Sequence, residues 1–468
     1  MTETTTQAVK TWALILTAAA SFMMALDAMV VTTALDTIRR DLGTSIETLE
    51  WTVNGYNLSF AVLLLTGAAL GDRFGRKRIF SIGLIVFVIA SAACALAPDA
   101  HWLIGARVVQ GIGAALVMPV GMALLSVAFP PQERAKALGQ FAGVTGLAII
   151  IGPALGGIIA EGLSWQWIFW INVPLGLILL PLVGRHIRES RGAAAPLDFT
   201  GLILMSTASL GLVWGLIRAN QSGWASTEVA GTLIAAALLA VLFVLWERRT
   251  AYPMVPMRLF RASAFSGGAA AAFLYSAAMY GILFFIAQFL AAAQGHGPLS
   301  AGLHLLPWTA TLFFVAPVAG RLVNKVGERP LVVIGATAQA VGLAWISLIA
   351  APDVSYIALL APLILAGVGV SMAMPSAQNA VIGSVAPQEI GTASGIFSTV
   401  RFLGGTFGIA VAVTAFAAGG GTHSAPAFAH GFSVAVGVSA ALSLLAAIAG
   451  AWIPGRRSIT TLAAPQRA

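Results

Sequence analysis

The 468-residue sequence has few charged residues and only one cysteine. Charged side chains make up 9% of the chain and hydrophobic ones 59%, whereas soluble domains have about 25% and about 45–50%. A soluble fold could not bury so much apolar surface, so the composition excludes an ordinary soluble protein. One cysteine excludes an internal disulfide, and Cys94 lies in an apolar run, which favours a small buried side chain without a chemical role.

The sequence also lacks the patterns that nucleotide and metal chemistry require. A phosphate-binding loop needs a glycine–lysine pair, and none of the four lysines follows a glycine. The six histidines are scattered without ligand spacing. We therefore predict no enzymatic activity, catalytic residue, cofactor or metal site, although a separate subunit could still supply an ATPase.

Long apolar runs predict an all-α membrane protein with fourteen transmembrane helices. The runs are apolar on every face and approach the roughly 20 residues that cross a hydrocarbon core about 30 Å thick. The first run has no small-residue cleavage site, which favours a retained helix over a signal peptide. The predicted spans lie near residues 12–35, 50–70, 79–97, 101–127, 138–160, 166–183, 199–219, 229–246, 264–291, 300–320, 330–350, 355–381, 390–416 and 430–453.

The basic residues predict the orientation of these helices. If the amino terminus is cytoplasmic, 20 of the 25 lysines and arginines fall in cytoplasmic segments and three fall outside. The other two, Arg107 and Arg401, lie within spans. This distribution is the positive-inside pattern, so we expect both termini in the cytoplasm of a multi-pass protein of the cell (inner) membrane. The net charge of +8 is thereby explained without a nucleic-acid partner.

A faint internal repeat predicts the domain organisation. The loop predicted at residues 70–77 and the loop predicted at 322–329 share leucine, a polar acceptor, a cation, glycine and a final cation at matching offsets. If each follows the second helix of a six-helix bundle, residues 1–183 and 263–468 form two bundles and residues 184–262 carry two inserted helices. Parallel repeats of this kind hold substrates at the midplane between the two halves.

Five motifs resemble those of the major facilitator superfamily, and in particular its fourteen-span drug:proton antiporters of the EmrB/QacA type. The chain departs from the usual family residues at four positions: Asp36, Ala68, Ala148 and Gln166. The motifs are residues 26–31 in span 1, 70–77 after span 2, 107–113 in span 4, 152–157 in span 5 and 165–176 at the start of span 6.

The resemblance assigns roles to two of these motifs. The residues after span 2 would form a cytoplasmic gate, in which Asp72 and Arg73 pair with neighbouring helix ends. The motif in span 5 would be the antiporter signature, since proline removes a helix hydrogen bond and glycines allow close helix packing. The gate residues are Asp72, Arg73, Gly75, Arg76 and Lys77, and the antiporter residues are Gly152, Pro153, Gly156 and Gly157.

Asp27 is the one acidic residue well inside a predicted span. A carboxylate in hydrocarbon is costly, and an intramembrane arginine needs a partner for the same reason. The resemblance makes Arg107 of span 4 the neighbour of Asp27. We expect the pair to couple protons to transport, although a purely structural link between spans 1 and 4 is the alternative.

Polar and aromatic side chains on two spans are candidates for substrate contacts. An apolar cavity with a few polar groups suits hydrophobic or amphipathic compounds. Aromatic residues in membrane helices also serve as packing and interface anchors, so each position has a structural alternative. The candidates are Trp51, Asn54 and Asn57 in span 2 and Tyr275, Tyr280, Phe284 and Gln288 in span 9.

The sequence therefore predicts a transporter whose partners are a small-molecule substrate, protons and the lipid bilayer. The resemblance implies proton-coupled export of drugs or antibiotics, and solute uptake by symport is the alternative with the same fold. For Arg401, which lies in a glycine-rich run of span 13, we expect a structural or gating role.

Overall fold

The computed structural model describes residues 3–44, 46–192, 198–292, 303–420 and 424–455, and in these ranges the regular structure is helical without strands. We number fourteen long helices, counting α6 as one helix that is interrupted at Ile171. They are α1 (Glu3–Leu42), α2 (Ile46–Phe74), α3 (Arg76–Ala95), α4 (Ala100–Ala128), α5 (Pro131–Gly162), α6 (Trp167–His186), α7 (Phe199–Ser222), α8 (Thr227–Glu247), α9 (Ser263–Ala292), α10 (Leu306–Val326), α11 (Glu328–Ile349), α12 (Tyr356–Gly383), α13 (Ile390–Ala418) and α14 (Ala425–Ala451).

Thirteen helices of the described chain are long and apolar enough to cross a membrane. The exception is α5, in which the side chains of residues 149–150, 153–154, 157–158 and 160–162 are outside the described set. The prediction of a multi-span, all-helical membrane protein is confirmed, and the count of fourteen spans stays a prediction. Several spans extend beyond their predicted limits, and α1, α2 and α5 continue into polar sequence at both ends.

Side-chain caps begin several of the helices. Asp99 accepts a hydrogen bond from Trp102 N at 2.8 Å at the start of α4, and Ser226 accepts one from Val229 N at 3.3 Å at the start of α8. Ser424 caps α14 through Ala427 N at 3.2 Å. Such caps satisfy amide groups that the first helical turn leaves free, so the short polar segments between apolar runs set where the helices begin.

The helices pack in two groups with matching pairings. In the first group, α1–α6, close contacts join α1 to α5, α2 to α4 and α3 to α4. In the second group, α9–α14, the corresponding contacts join α9 to α13, α10 to α12 and α11 to α12. The groups meet where α2 contacts α13 and where α5 contacts α10. This equivalence supports our proposed division at residues 183/184 and 262/263.

The two segments predicted as loops are helix corners of one residue each. Gly75 alone separates α2 from α3, and Gly327 alone separates α10 from α11. Their φ angles are +109° and +85°, in the left-handed region that favours glycine. The repeated glycine therefore marks the same sharp turn in both groups of helices, and the prediction of loops at these positions was wrong.

Helices α7 and α8 lie outside the two groups. They pack against each other, and α7 also contacts α2 and α13. The rings of Trp214 on α7 and Trp51 on α2 lie 5.0 Å apart, and Trp224 Nε1 donates to Thr414 Oγ1 of α13 at 2.5 Å. The pair α7–α8 thus contacts both groups of helices, through α7 and through the turn that follows it.

Candidate transport site

A buried ion pair joins α1 to α4. Arg107 Nη1 lies 2.5 Å from Asp27 Oδ2, and the two residues are 0% and 2% exposed. Neither charge reaches solvent, so each compensates the cost of burying the other. The structure therefore brings together the two residues that the sequence proposed as a coupling pair.

Two amide side chains complete the shell of the Asp27 carboxylate. Gln110 Nε2 donates to Asp27 Oδ1 at 2.9 Å, and Asn172 Nδ2 donates to the same oxygen at 2.8 Å. The carboxylate thus accepts three hydrogen bonds, counting that from Arg107. These donors supply the hydrogen bonds that a buried carboxylate needs. The contacts link α1, α4 and α6.

The guanidinium of Arg107 is equally well surrounded. Its Nε donates to Thr52 O on α2 at 3.0 Å, and its Nη1 also lies 2.5 Å from Gln110 Oε1. The centre of the guanidinium lies 4.2 Å from the ring centroid of Tyr56, a cation–π distance. If Asp27 became neutral, these contacts would still hold Arg107 in place on α2 and α4.

Gln110 extends the network to α3. Its Nε2 also donates to Ser91 Oγ at 2.7 Å, and Cys94 Sγ lies 3.8 Å from its Oε1. The sequence named Gln110 and Asn172 only as parts of two motifs and gave neither a role. A polar amide within an apolar helix was the available signal, but the sequence does not show that both amides meet the same carboxylate.

The α5 motif that resembles the antiporter signature packs beside this network. A Cβ atom at Gly152 would lie 2.5 Å from Met29 Cβ, two residues beyond Asp27 on α1. Gly156 is buried one turn further along α5. Pro153 and Gly157 belong to the same helix, but their side chains are outside the described set. Gly152 therefore allows α5 to approach the part of α1 that carries the carboxylate.

Asp72 lies where the two groups of helices meet. Arg76 Nε donates to its Oδ1 at 2.8 Å, and Thr392 Oγ1, in the first turn of α13, lies 3.4 Å from its Oδ2. A Cβ atom at Gly391 would overlap the carboxylate, so Gly391 permits this approach. A carboxylate at a helix N-terminus is stabilised by the amide groups and the helix dipole. Asp72 therefore attaches α2 to the start of α13.

Lys77 and its neighbour Arg78 contact the end of α6 and the chain that follows it. The amides of Lys77 and Arg78 donate to the Glu189 carboxylate at 2.9 and 3.2 Å, and Lys77 Nζ donates to Gly184 O at 2.5 Å. Arg73 is exposed, and its guanidinium lies 5.8 Å from the Phe74 ring. The motif thus divides into Asp72, which contacts the second group, and residues that stabilise the first.

A second contact between the groups joins α5 to α10. A Cβ atom at Gly139 would overlap the backbone of Ala316, and one at Gly320 would overlap that of Ala135. Asn324 Nδ2 also donates to Gln132 O across this contact. Small residues let the helix backbones approach closely. The two groups are therefore tightly packed at the end of the molecule that carries Asp72.

The substrate candidates of α2 have varied surroundings. Trp51 packs on Trp214 of α7, whereas Asn54 and Asn57 are partly exposed. A cavity of about 740 Å³ lies between α5 and α6, where Trp167 and Trp170 line it, and no substrate candidate does. The α2 candidates therefore do not line that cavity.

The candidates of α9 divide between a buried and an exposed set. Tyr275 is 0% exposed. Tyr280 packs on Gly405 of α13, where a Cβ atom would lie 2.7 Å from its ring. Phe284 and Gln288 are exposed, and Gln288 Nε2 donates to Phe284 O at 2.7 Å.

In the described part of the chain, no three histidine, cysteine, aspartate or glutamate residues lie close enough to hold a metal ion.

A bundle of membrane-spanning helices with a buried intramembrane ion pair and a contact between two similar halves defines a membrane transporter. The sequence profile of the Major Facilitator Superfamily matches residues 17–409. The chain belongs to this superfamily, and the predicted fold is confirmed at that level.

Similar proteins include antibiotic resistance and export proteins. The chain is 35% identical over 407 residues to the multidrug resistance protein Stp of Mycobacterium tuberculosis, covering 86% of this chain and 75% of that protein. It is 34% identical over 403 residues to the tetracenomycin C resistance and export protein of Streptomyces glaucescens, with the same coverage of 86% and 75%.

A solved structure of the proton:xylose symporter XylE superposes with a TM-score of 0.66. The two sequences are 15% identical, and the match covers 94% of this chain and 95% of XylE. At that identity the likeness shows the fold alone. Because this neighbour is a symporter, the fold does not by itself determine the direction of transport.

Proposed function

We propose that this protein is a proton-coupled antiporter that exports small hydrophobic or amphipathic organic compounds across the cell (inner) membrane. Its relatives are named as resistance and export proteins, which supports this direction. The proposal includes the fourteen-span, EmrB/QacA-type membership and the cytoplasmic position of both termini. Drugs or antibiotics are the proposed substrates, and the seven side chains of α2 and α9 stay the candidates that contact them.

The buried network around Asp27 is the observation that carries the proposal. Asp27 has a single titratable partner within ion-pairing distance in the described chain, Arg107, and its other donors are neutral amides. Protonation would therefore remove the charge that holds α1 and α6 against α4. Arg107 would keep its bonds to Thr52 and Gln110. A single proton can thus change the contacts of two helices while the arginine stays in place.

In this proposal, proton binding and the opening of the transport path take place at different parts of the molecule. Asp27 is buried, so this state does not let its proton exchange with water. Asp72 and the α5–α10 contact hold the side that we propose to be cytoplasmic closed. Opening that side would separate α2 from α13 and expose the substrate site to the cytoplasm. Protonation and substrate binding would then favour different states, which is the requirement for exchange.

The membrane potential can supply the driving energy. One proton that moves inward through 100 mV releases about 2.3 kcal/mol, to which a pH gradient adds. A difference of about 1.4 kcal/mol corresponds to tenfold in concentration, so one proton per substrate supports a useful gradient.

The test is substrate-induced proton release from proteoliposomes that contain wild type or Asp27→Asn. Asparagine keeps the size of the side chain and removes the titratable carboxylate. We expect a panel of lipophilic acids, cations and uncharged antibiotics to identify a compound that releases protons with wild type and not with Asp27→Asn. The matched control is Asp353→Asn, because Asp353 is exposed.

Equal proton release by wild type and Asp27→Asn would show that Asp27 is structural and would contradict its role in coupling. Loss of release in Asp353→Asn as well would point to a general defect of the preparations. Symport is the second candidate, since a proton symporter has the same fold. It predicts the opposite sign of proton movement in the same vesicles.

A further inference from the structure

The second intramembrane arginine, Arg401 of α13, has surroundings unlike those of Arg107. Its side chain is partly buried, and its Nε is enclosed without a hydrogen-bond partner. Among the described residues, no carboxylate lies within 4.0 Å of its guanidinium. The centroid of the Phe397 ring lies 5.8 Å from the carbon of its guanidinium.

The two arginines differ in how the cost of placing their charge in the membrane is compensated. The charge of Arg107 is compensated by Asp27, whereas that of Arg401 has no acidic partner in the described chain. A cation within a membrane is costly unless a counter-charge or polar group compensates it. Arg401 lies near the middle of the 29-residue helix α13, so its charge cannot easily reach either end. A purely structural role would leave this cost without a compensating contact.

A second unpartnered donor lies on α9, the helix that packs against α13. The side chain of Tyr275 on α9 is 0% exposed, and its hydroxyl makes no hydrogen bond with a described residue. Arg401 and Tyr275 lie on two helices that pack closely, since a Cβ atom at Gly404 of α13 would overlap Phe273 O of α9. The Oγ of Ser276, the next residue, is also buried and makes no hydrogen bond with a described residue by distance and angle. Buried polar groups are nearly always hydrogen-bonded, so several without partners at one place indicate a site for a ligand or water.

Several aromatic side chains lie near Arg401 on α9 and α13. The Tyr280 ring lies against Gly405, which has no side chain to displace it. Phe397 faces the guanidinium, and Phe402, the next residue after Arg401, packs edge-on against Phe60 of α2 at 5.2 Å. Arg401 is thus next to the α2–α13 contact, where the two groups of helices meet. Aromatic walls around two donors suit a flat apolar molecule that carries one acidic oxygen.

We infer that Arg401 and Tyr275 bind the acidic group, a carboxylate or an ionised phenol, of an aromatic organic acid. The inference rests on the proposed transport function, to which it adds the chemical class of the substrate. The substrate anion supplies the missing counter-charge of Arg401, and the Tyr275 hydroxyl donates to the same group. Lipophilic cations are disfavoured at this site, because Arg401 repels them.

The test measures binding and does not depend on transport. Wild-type protein in lipid nanodiscs is titrated at pH 7.5 with 1-pyrenebutyric acid, its methyl ester and 1-pyrenebutylamine, and fluorescence anisotropy is read after subtraction of empty nanodiscs. The three probes share one aromatic skeleton and differ in charge. We expect the acid to bind at least about tenfold more tightly than the ester, and the amine most weakly.

The variants locate this preference. In Arg401→Gln the affinity for the acid should fall to that for the ester, whose own affinity stays unchanged. Arg401→Lys should keep part of the preference, because the charge remains but the fork of donors is lost. Tyr275→Phe should weaken acid binding severalfold. Arg218→Gln is the matched control, because Arg218 pairs with Glu228 at 3.1 Å on an exposed surface.

An acid preference that is missing in wild type, or that persists in a monodisperse Arg401→Gln protein, would overturn the inference. If Arg401→Gln does not fold, unchanged acid affinity in both Arg401→Lys and Tyr275→Phe would overturn it equally. The inference and the proposed function can fail separately. If the acid preference is found but no substrate releases protons, the binding site stands and the antiporter proposal is rejected. If cations release protons as well as acids do, the antiporter proposal stands and the acidic-substrate site is rejected.

Discussion

Asp72 gives the most quantitative prediction for the contact between the two halves. Its carboxylate lies on α2, and the start of α13, at Gly391 and Thr392, lies directly against it. We expect Asp72→Asn, which keeps the shape and removes the charge, to shift the protein towards the state in which these helices separate. Only contacts that are broken on opening contribute to this shift.

The size of the shift follows from the contacts. The ion pair with Arg76, at 2.8 Å, lies within one half and persists on opening, so it cancels. The hydrogen bond from Thr392 is long, at 3.4 Å, and contributes little. The remaining attraction, between the negative charge and the N-terminus of α13, is worth about 1 kcal/mol and up to about 2 kcal/mol, and the cost of burying this 8% exposed carboxylate opposes it. The ratio of open to closed protein should therefore rise by at most about 5- to 30-fold.

The assay is the distance between spin labels on the two halves. Arg78 and Gln388 are both exposed and can be changed to cysteine after the buried Cys94 is replaced by serine. The matched control is Asp99→Asn, since Asp99 caps α4 within one half. A distance distribution that is unchanged in Asp72→Asn, or shifted equally in Asp99→Asn, would refute the reasoning.

Two further substitutions test the gate and the ion pair. In Gly391→Ala the new methyl group would overlap the Asp72 carboxylate, so the same spin-label assay should show a larger open fraction than Asp72→Asn does. In Arg107→Lys the ammonium cannot keep the bonds to Asp27 and Thr52 together, so proton-coupled transport should fall by at least about tenfold while the protein stays folded.

The Gly391→Ala prediction has a matched control, and the Arg107→Lys prediction has an outcome that would contradict it. Gly383→Ala adds the same methyl group at a position with no atom within 4 Å, and it should leave the spin-label distances unchanged. An equal opening in Gly383→Ala would show that the assay does not report the Asp72 contact. Full transport activity in Arg107→Lys would show that the guanidinium geometry is unimportant.

The sequence predicted a multi-span, all-helical membrane protein correctly, because thirteen of the long helices are nearly uninterrupted apolar runs. It predicted their ends less well. Helix α1 begins at Glu3 and ends at Leu42, beyond the apolar residues, because a helix can continue into water after the hydrophobic run stops. The turn at Gly75 was predicted as a loop, because polar residues after an apolar run do not reveal that both flanking helices continue through them.

The candidate site was predictable only in part. Asp27 and Arg107 stand out in the sequence, since charges are rare in apolar runs. Gln110 and Asn172 do not, because amides are common and their shared contact with Asp27 depends on how α4 and α6 pack. The sequence led us to expect a structural or gating role for Arg401, and the lack of an acidic partner near it becomes visible only in the packed helices.

The central claim is exchange of substrate for protons, and the most direct test is the sign of the pH gradient that drives accumulation. Wild-type proteoliposomes are given the substrate outside and a gradient that is acid inside or acid outside, with the membrane potential clamped. The account predicts accumulation when the interior is acid, because protons that leave drive substrate inward whatever the orientation of the protein. Accumulation when the exterior is acid would show symport and contradict the account.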